Sequence, residues 1–248
     1  MNLTEANKKY CGIIIPIFNS SKYLDEILEK IGKVQSTLRE WVVEVLIVDD
    51  GSSPPIVTIK DSAMTHELIR HEVNKGKGAA LKTGIKHYLE TEKLYAILTL
   101  DGDLQHPPEL IPKFLESINK NEGDLVIGYR KKILGKMPFH RIISNTLTSY
   151  IISFLSKQHI PDSQCGYRVF TRRVAENVEI NENRFHFESE MIVRAAWQKF
   201  RIAYLPIPTI YKNESSAIKN YSDTINFIRL VFRLMLERIK ENVRKKKK

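Results

Sequence analysis

The chain has 248 residues, of which 42% are hydrophobic and 27% charged, a composition ordinary for a soluble globular protein with one large α/β domain or at most two small domains. The 39 Lys and Arg residues outnumber the 29 Asp and Glu residues, and the formal net charge of +10 favours polyanionic partners such as nucleic acid, anionic lipid or phosphorylated substrates. No apolar run approaches about 18 residues, so the sequence predicts neither a secretion signal nor a transmembrane helix. Cys11 and Cys165 lack metal-binding spacing, which predicts reduced thiols in a cytosolic compartment.

Short apolar runs alternate with segments of helical periodicity along the chain. The predicted strands are residues 12–17, 41–48, 67–72, 95–100 and 124–128. The predicted helices are residues 23–38, 109–119, 139–155 and 223–243. A further helical pattern begins in the segment 74–80 and continues through residue 89. This alternation predicts a doubly wound, largely parallel sheet that binds its ligand at the carboxyl ends of the strands.

An acidic loop follows the predicted strand 95–100. Asp101 and Asp103 lie one residue apart, and Gln105 is next in the same alternation. Three oxygen donors from one turn favour a hard cation such as Mg²⁺ or Mn²⁺, which keeps positions open for water and substrate phosphates. Asp and Gly are also common in plain turns, so a purely structural turn stays open as the alternative.

Two further clusters fall at predicted strand ends. Asp49 and Asp50 begin a turn after strand 41–48, where their carboxylates could accept hydrogen bonds from a nucleoside. Lys75 and Lys77 lie in a glycine-rich loop that leads into a helix, where free amides and the helix dipole favour anions. Each cluster alone is a common connector, but three at successive strand ends indicate one ligand site.

The order of these motifs resembles family 2 inverting glycosyltransferases with the GT-A fold, in particular the polyprenyl-phosphate branch that contains dolichyl-phosphate mannose and glucose synthases and their bacterial relatives. The similarity spans about residues 11–211. It is carried by the motifs at 16–19, 49–52, 74–78, 101–109, 128–130, 162–168, 187–190 and 206–211. In this chain Ser20 stands where the family usually has Glu, and Lys212 stands where many members have Arg.

The resemblance implies an α/β fold of the GT-A type. This is a Rossmann-like, mixed and mostly parallel sheet flanked by helices, expected at residues 1–220. A basic amphipathic C-terminal helix and tail are expected at 221–248. The implied activity is metal-dependent, inverting transfer of a sugar from a UDP- or GDP-linked donor to a polyprenyl phosphate, at the cytosolic face of a membrane.

The resemblance also assigns site residues. The nucleotide-sugar-binding residues are Pro16, Phe18, Asn19, Asp49, Asp50, Gly51, Ser52, Asn74, Lys75, Gly76, Gly78, Asp101, Gly102 and Asp103. The implied cofactor is Mg²⁺ or Mn²⁺, and its ligands are Asp101, Asp103 and Gln105. The catalytic residues are Asp101, Asp103, Arg130, Arg168, Asp162, Glu188 and Glu190, and the acceptor phosphate is assigned to Arg130, Arg168 and Lys212.

The nature of the acceptor decides whether a general base is needed. A lipid phosphate is already anionic at neutral pH, whereas a sugar hydroxyl must lose a proton to a carboxylate. Asp162, Glu188 and Glu190 are the candidates for that base. A transferase that extends a cell-surface or lipid-linked glycan is therefore the alternative enzyme.

The basic tail permits two interpretations. Residues 223–243 have one apolar and one charged helical face, and the chain ends in Arg-Lys-Lys-Lys-Lys, a pattern typical of an interfacial membrane anchor. The alternative is a helix docked on its own domain with a solvated tail. A nucleic-acid-binding module is the non-enzyme alternative, but no nucleic-acid-binding motif is present, and the acidic strand ends would repel a phosphate backbone. We expect no nucleic-acid partner, and we expect a separate membrane protein as a further partner.

Overall fold

The computed structural model describes residues 8–57, 64–131, 139–210 and 220–246, in which one sheet lies between helices. The strands are β1 (Lys9–Ile17), β2 (Trp41–Asp49), β3 (His66–Arg70), β4 (Leu94–Thr99), β5 (Leu125–Arg130), β6 (Arg168–Thr171) and β7 (Ile202–Ile207). The helices are α1 (Leu24–Gln35), α2 (Lys77–Leu89), α3 (Ile111–Asn119), α4 (Phe139–Ser156), α5 (Arg172–Asn177), α6 (Phe187–Trp197) and α7 (Asn220–Lys246).

The sheet order is β3-β2-β1-β4-β6-β5-β7. The first four of these strands run parallel, β6 is antiparallel to both of its neighbours, and β7 is parallel to β5. This confirms the predicted mixed, mostly parallel sheet flanked by helices. Because β1, β2 and β4 share one direction, the segments that follow them meet at one edge. Since β6 runs the opposite way and pairs Arg168 with Thr99, the segment that precedes β6 reaches the same edge.

The central strands are apolar on both faces. Ile13, Ile14 and Ile15 of β1 are completely buried, as expected of parallel strands covered by helices on either side. Helix α2 approaches β1 closely, because a Cβ placed on Gly12 would lie 2.4 Å from the Tyr88 ring. This contact packs the C-terminal end of α2 against the first half of β1.

Several elements were not predicted from the sequence. They are β6, α5, α6 and β7. The β6 strand has four residues, which is too short to establish an alternating pattern. The helix predicted from residue 109 begins as a 3₁₀ turn, Pro108–Leu110, before α3 continues it. Prolines flank that turn, and they supply no backbone N–H to it.

Helix α7 packs on the domain through one face only. Leu230 and Leu234 of this helix belong to the hydrophobic core. Phe227 is partly buried and packs against the same core. Six further apolar residues of the helix are exposed: Ile228, Phe232, Met235, Leu236, Ile239 and Val243. Helix α4 exposes a second apolar row, made of Ile143, Leu147, Tyr150 and Phe154.

Within the ranges given above, the structure contains no helix that is both long enough and apolar enough to cross a membrane.

Candidate active site

The acidic loop after β4 is closed by hydrogen bonds within the loop. The backbone N–H of Gln105 donates to Asp103 Oδ1 at 2.9 Å, and the backbone N–H of Asp101 donates to His106 Nδ1 at 3.0 Å. Leu104 adopts a left-handed conformation, with φ 60°, and is buried. The loop therefore presents both aspartates, each half-buried, at the carboxyl end of the strand.

His106 supports this loop as a neutral ring. An Nδ1 that accepts a backbone N–H carries no proton itself, and burial lowers the pKa of His106 to about 4. The ring stacks on Tyr167 with centroids 5.1 Å apart, and the Tyr167 hydroxyl donates to the Pro107 carbonyl at 2.9 Å. These contacts make His106 a support for the acidic loop.

Lys77, the first residue of α2, reaches into the acidic site. Its ammonium lies 2.7 Å from Asp101 Oδ1 and 2.8 Å from Glu188 Oε1. Burial by itself would lower the pKa of Lys77, but the two carboxylates raise it above its ordinary value. Burial would likewise raise the pKa of Asp101, but the Lys77 charge holds it well below its usual range. Lys77 and Asp101 are therefore both charged at neutral pH.

The sequence predicts an anion-binding loop that contains both Lys75 and Lys77, but only Lys75 was assigned to the nucleotide-sugar site. The structure leaves Asn74 and Lys75 exposed. The usable signal was the pair of glycines, Gly76 and Gly78, on either side of Lys77. Gly76 has φ 100°, a conformation that lets the loop turn sharply into the helix and aim the next side chain inward.

The cluster of Lys77, Asp101 and Glu188 has features that suit a divalent cation. Glu188 Oε2 is buried and has no hydrogen-bond partner within the described residues. Gly166 leaves space beside the carboxylate, since a Cβ there would lie 3.0 Å from both Asp101 oxygens and 2.8 Å from Lys77 Nζ. The carboxylates of Asp101 and Glu188 supply oxygen ligands, which Mg²⁺ and Mn²⁺ prefer.

No group of three or more His, Cys, Asp or Glu side chains gathers around one point in the described ranges. The predicted set has only two carboxylates, Asp101 and Asp103, with the amide oxygen of Gln105. A site of this kind fits a cation that takes its remaining ligands from water and phosphate oxygens. Asp101, Asp103 and Gln105 therefore fit the implied metal by their chemistry.

Asp49 and Asp50 are both buried and hydrogen-bonded within the protein. Asp49 accepts from the backbone N–H of Ser52 at 2.8 Å and pairs with Arg70. Burial would raise the pKa of Asp49, but the hydrogen bonds from Ser52 and the Arg70 charge lower it below its ordinary value. Asp50 holds the glycine-rich loop, because the backbone N–H groups of Lys75 and Gly76 donate to it at 2.9 and 2.7 Å.

Two of the predicted nucleotide residues, Asn19 and Ser52, line a recess of about 150 Å³ beyond the ends of β1 and β2. The backbone N–H of Asn19 donates to Ser52 Oγ at 2.9 Å, and Asn19 Oδ1 accepts from the Ser53 backbone N–H at 2.8 Å. Phe18 is exposed beside it. Phe18 and Asn19, which follow β1, therefore lie beside Ser52, which follows β2, at the carboxyl edge of the sheet.

The remaining predicted nucleotide residues shape the backbone of that edge. Pro16 lies near the end of β1 and is half-buried. Gly51 has φ 79°, which favours glycine. A Cβ on Gly102 would lie 2.1 Å from the Ile17 side chain, so the acidic loop passes directly over β1.

Arg130 and Asp162 form a two-pronged ion pair. Arg130 Nε and Nη2 donate to the two Asp162 oxygens at 2.7 and 3.1 Å. The same carboxylate accepts from Asn145 Nδ2 on α4 at 3.2 Å and from the Gln164 backbone N–H at 3.1 Å. Burial would raise the pKa of Asp162, but Arg130 lowers it below its ordinary value. Asp162 is thus an ionised, fully buried carboxylate that orients Arg130.

Arg168 is a buried cation that holds backbone carbonyls. Its Nε, Nη1 and Nη2 donate to the carbonyl oxygens of Cys165, Glu188 and Ser163 at 2.7, 2.6 and 2.9 Å. Burial lowers the pKa of Arg168. The side chain therefore joins the start of α6 to the segment before β6, and its assignment to the acceptor phosphate stays a prediction.

Glu188 and Glu190 lie on the same helix but point to different places. Glu188 faces Lys77, as described above. Glu190 is completely buried, and its Oε1 pairs with Arg194 at 2.7 Å and with Arg233 of α7 at 3.2 Å. The structure therefore brings Glu188, and not Glu190, to the acidic loop. Lys212, the third predicted phosphate ligand, lies outside the described residues.

The sequence profile of glycosyl transferase family 2 matches residues 12–179. An uncharacterized protein of Methanocaldococcus jannaschii is 30% identical over 244 residues, which cover 96% of each chain. The UDP-N-acetylglucosamine–dolichyl-phosphate N-acetylglucosaminyltransferase of Methanococcus voltae is 28% identical over 249 residues, which cover 92% of this chain and 96% of that protein.

Glucosyl-3-phosphoglycerate synthase of Mycobacterium tuberculosis, solved in complex with Mn²⁺, UDP and glucosyl-3-phosphoglycerate, shares the fold. It superposes with a TM-score of 0.64 at 15% identity, over 94% of this chain and 81% of that chain. Identity at this level supports the fold alone, and the fold is GT-A. The chain therefore belongs to glycosyl transferase family 2 and is a glycosyltransferase.

Proposed function

We propose that this glycosyltransferase moves a sugar from a nucleotide-diphosphate sugar to a polyprenyl phosphate, with inversion and with a divalent metal, at the cytosolic face of a membrane. The observation that carries the proposal is the cluster in which Lys77 lies between Asp101 and Glu188 at the carboxyl edge of the sheet. A buried cation beside carboxylates offers one partner for a diphosphate and another for a metal. The relative from Methanococcus voltae, named for a UDP-sugar donor and a dolichyl-phosphate acceptor, supports this choice of substrates.

The donor end of the site would be built by the chain in two parts. The recess beside Asn19 and Ser52 is the proposed nucleoside position, and Lys77 supplies positive charge toward the diphosphate. Asp101, Asp103 and Gln105 would hold Mg²⁺ or Mn²⁺, and the presence of Mn²⁺ and UDP together in the mycobacterial synthase supports that assignment. When bound, such a cation stabilises the charge that develops on the departing diphosphate.

The acceptor end is proposed around Arg130. The two-pronged pair with Asp162 restrains the guanidinium, so little side-chain entropy remains to be lost when a phosphate binds. An ionised acceptor phosphate attacks the anomeric carbon from the face opposite the diphosphate, which inverts the configuration and needs no general base. Lys212 is the proposed second cation at this end.

Membrane association is proposed for the exposed apolar face of α7. Phe232, Leu236 and Ile239 lie there among basic residues, and apolar burial combined with attraction to anionic lipid is what holds a helix at an interface. The second exposed apolar row, on α4, would add to the same association. A protein held this way is peripheral, and a separate membrane protein would use its product.

A transferase that extends a glycan is the second candidate, and the environment of Glu188 favours it. Glu188 Oε2 is buried and unpartnered in the described part of the chain, as a base awaiting the proton of a sugar hydroxyl would be. In that case Glu188 accepts the proton as the hydroxyl oxygen attacks. The acceptor alone separates the two candidates, since both use the same donor.

The test begins with a thermal-shift panel of UDP- and GDP-sugars, with and without Mn²⁺, on the wild type, Asp103→Ala and Glu109→Ala. Glu109 is exposed in the same motif and pairs with Lys30 at 2.8 Å, so it controls for a carboxylate lost from the loop. We expect one nucleotide sugar to stabilise the wild type and Glu109→Ala in a metal-dependent way, and to leave Asp103→Ala unchanged.

The donor so identified is then incubated with a polyprenyl phosphate or with an oligosaccharide acceptor. Transfer to the lipid phosphate alone supports the proposal, and transfer to the hydroxyl acceptor alone supports the second candidate. Absence of stabilisation by every nucleotide sugar, with Mn²⁺ present, would contradict both.

A further inference from the structure

Helix α7 is joined to the domain by a partly buried charge network, with Glu190 completely buried at its centre, as well as by its two core leucines. Arg233 Nη2 lies 2.8 Å from Glu182 Oε1 and 3.2 Å from Glu190 Oε1. Arg194 of α6 also pairs with Glu237 of α7 at 2.9 Å. Arg233 thus reaches from α7 into the interior of the domain.

Glu190 contacts both Arg233 and the backbone of the segment 181–184. Its Oε2 accepts the backbone N–H groups of Asn181 and Glu182 at 3.0 and 2.7 Å. Because its Oε1 pairs with Arg233, one carboxylate holds both α7 and the segment. Removing a charge from such a buried network changes the position or the order of its other members.

The segment 181–184 packs directly against the glycine-rich loop at the start of α2. The backbone N–H of Ala79 donates to the Asn183 carbonyl at 2.9 Å. A Cβ on Gly76 would lie 2.4 Å from that same oxygen, and a Cβ on Gly78 would lie 2.8 Å from the Glu182 carbonyl. Backbone touches backbone on both sides of Lys77, so a displacement of the segment must displace the loop.

We propose that Arg233 is a positioning residue for donor binding. Through Glu182 and Glu190 it holds the segment 181–184 against the glycine-rich loop, and so keeps Lys77 between Asp101 and Glu188. The inference rests on the proposed function, which places the diphosphate of the donor beside Lys77. Helix α7 is then part of the donor site as well as a candidate membrane contact. By thermodynamic linkage, docking of α7 and binding of the donor strengthen each other.

Arg229 provides a matched control on the same helix. It lies one turn before Arg233 and is exposed, and Arg229→Met and Arg233→Met change the net charge equally. The experiment uses the full chain and isothermal titration with UDP or GDP in the presence of Mn²⁺, well below the melting temperature of each variant. We expect Arg233→Met to weaken nucleotide binding roughly fivefold or more, and Arg229→Met to change it by less than about twofold.

Glu182→Gln tests the same connection from the other end without altering α7. Its carboxylate lies 2.8 Å from Arg233, while the hydrogen bond from its backbone N–H to Glu190 is retained. We expect it to weaken nucleotide binding as Arg233→Met does. The double variant should bind about as weakly as Arg233→Met alone, since both substitutions remove the contact between Arg233 and Glu182. Unchanged binding in both single variants, with a wild type that binds nucleotide, would overturn the inference and leave the proposed function intact.

Hydrogen exchange gives a readout that needs no nucleotide. The Ala79 amide is protected by the Asn183 carbonyl, so Arg233→Met should raise its exchange rate while Arg229→Met does not. The His71 amide, which donates to the Asp49 carbonyl at 2.8 Å, serves as an internal reference. If exchange at Ala79 is equal in both variants, α7 docks without positioning the loop. If exchange differs but the wild type binds no nucleotide, the connection holds and the proposed function fails.

Discussion

The ammonium of Lys77 lies 2.7 Å from Asp101 Oδ1 and 2.8 Å from Glu188 Oε1, so a single cation joins the start of α2, the acidic loop and α6. The cluster carries one positive and two negative charges. Its net charge is therefore negative before the Asp103 carboxylate is counted. A cluster of this sign attracts a divalent cation while still offering an ammonium to a phosphate.

Replacement of Lys77 by Met should destabilise the fold. It leaves Asp101 and Glu188 without their shared cation, and removing one partner of a buried ion pair costs about 3 kcal/mol. Lys75→Met is the matched control, because Lys75 is exposed two residues earlier and should change the free energy of unfolding by less than about 0.5 kcal/mol. Urea denaturation at neutral pH measures both. Equal stability of the two variants would show that the Lys77 contacts add nothing.

Glu188→Gln and Glu190→Gln should behave differently although the residues are two positions apart. Glu190 accepts two backbone N–H groups and pairs with Arg194 and Arg233, so its loss of charge should lower the free energy of unfolding by about 3 kcal/mol. Glu188→Gln leaves Lys77 paired with Asp101 and should cost about 1 kcal/mol. Thermal and urea unfolding compare the two variants, and a larger loss in Glu188→Gln would contradict this assignment.

Activity of Glu188→Gln then separates the two acceptor classes. With a sugar hydroxyl as acceptor, loss of the base should lower kcat by about 10²–10⁴-fold. With a lipid phosphate, no proton must be removed, and kcat should stay within about tenfold of the wild type. Steady-state rates at saturating donor with each acceptor decide between them.

Strand ends and their order could be predicted from the sequence, because the residues that define them are local. The runs of β1, β2 and β4 are mostly apolar, Asp49 is the last residue of β2, and Asp101 lies two residues after β4. Parallel strands then place these residues at one edge without further information. The loop chemistry of Asp101, Asp103 and Gln105 follows from three residues in one turn.

The contacts of these residues could not be predicted, because their partners are distant in the chain. Lys77 was indistinguishable from Lys75 until Asp101 and Glu188 had positions in space. Asp162 reaches Arg130 only because the short strand β6 reverses direction beside β5, and four residues carry no readable period.

The spacing of Glu188 and Glu190 alone predicts that their side chains point in different directions, which the sequence analysis above does not use. Residues two apart on a helix are separated by about 200° around its axis. Glu188 and Glu190 therefore had to face different surroundings once α6 was recognised as a helix. Only one of them could reach the acidic loop.

The ion pair of Asp162 with Arg130 should appear in the pH dependence of stability. The pKa of Asp162 is lower in the folded protein than its ordinary value of about 4. The pair therefore stabilises the fold fully above about pH 4, and this contribution is lost as pH falls through the lower folded pKa. Asp162→Asn removes the charge at every pH. We expect it to be less stable than the wild type by about 3 kcal/mol near pH 7.

The difference between wild type and Asp162→Asn should shrink as pH falls below about 4, because the wild-type carboxyl then takes up a proton. Urea unfolding of both proteins from pH 3 to 7 measures it. Asp25→Asn is a control for a carboxylate near the surface, since Asp25 is exposed and should show no comparable difference. A gap between wild type and Asp162→Asn that is constant across this range would show that its ionisation does not stabilise the fold.

Substitutions on the exposed and the buried face of α7 should affect membrane binding and folding stability separately. Phe232 is 62% exposed, whereas Leu234 is completely buried, so the two residues test opposite sides of one helix turn. Phe232→Ser should weaken binding to vesicles that contain anionic lipid, by roughly tenfold to a hundredfold for the lost apolar burial of about 1.5–3 kcal/mol. Its free energy of unfolding should remain within about 0.5 kcal/mol of the wild type.

Leu234→Ser should do the reverse. Truncation of a buried leucine, with a hydroxyl added to the core, should cost about 3 kcal/mol of stability, while the exposed apolar face is preserved. Vesicle sedimentation below the melting temperature should then find the same lipid affinity as in the wild type. If Phe232→Ser retains full affinity for anionic vesicles while the folded Leu234→Ser protein loses it, the membrane does not contact the exposed face of α7, and the row on α4 becomes the surface to test.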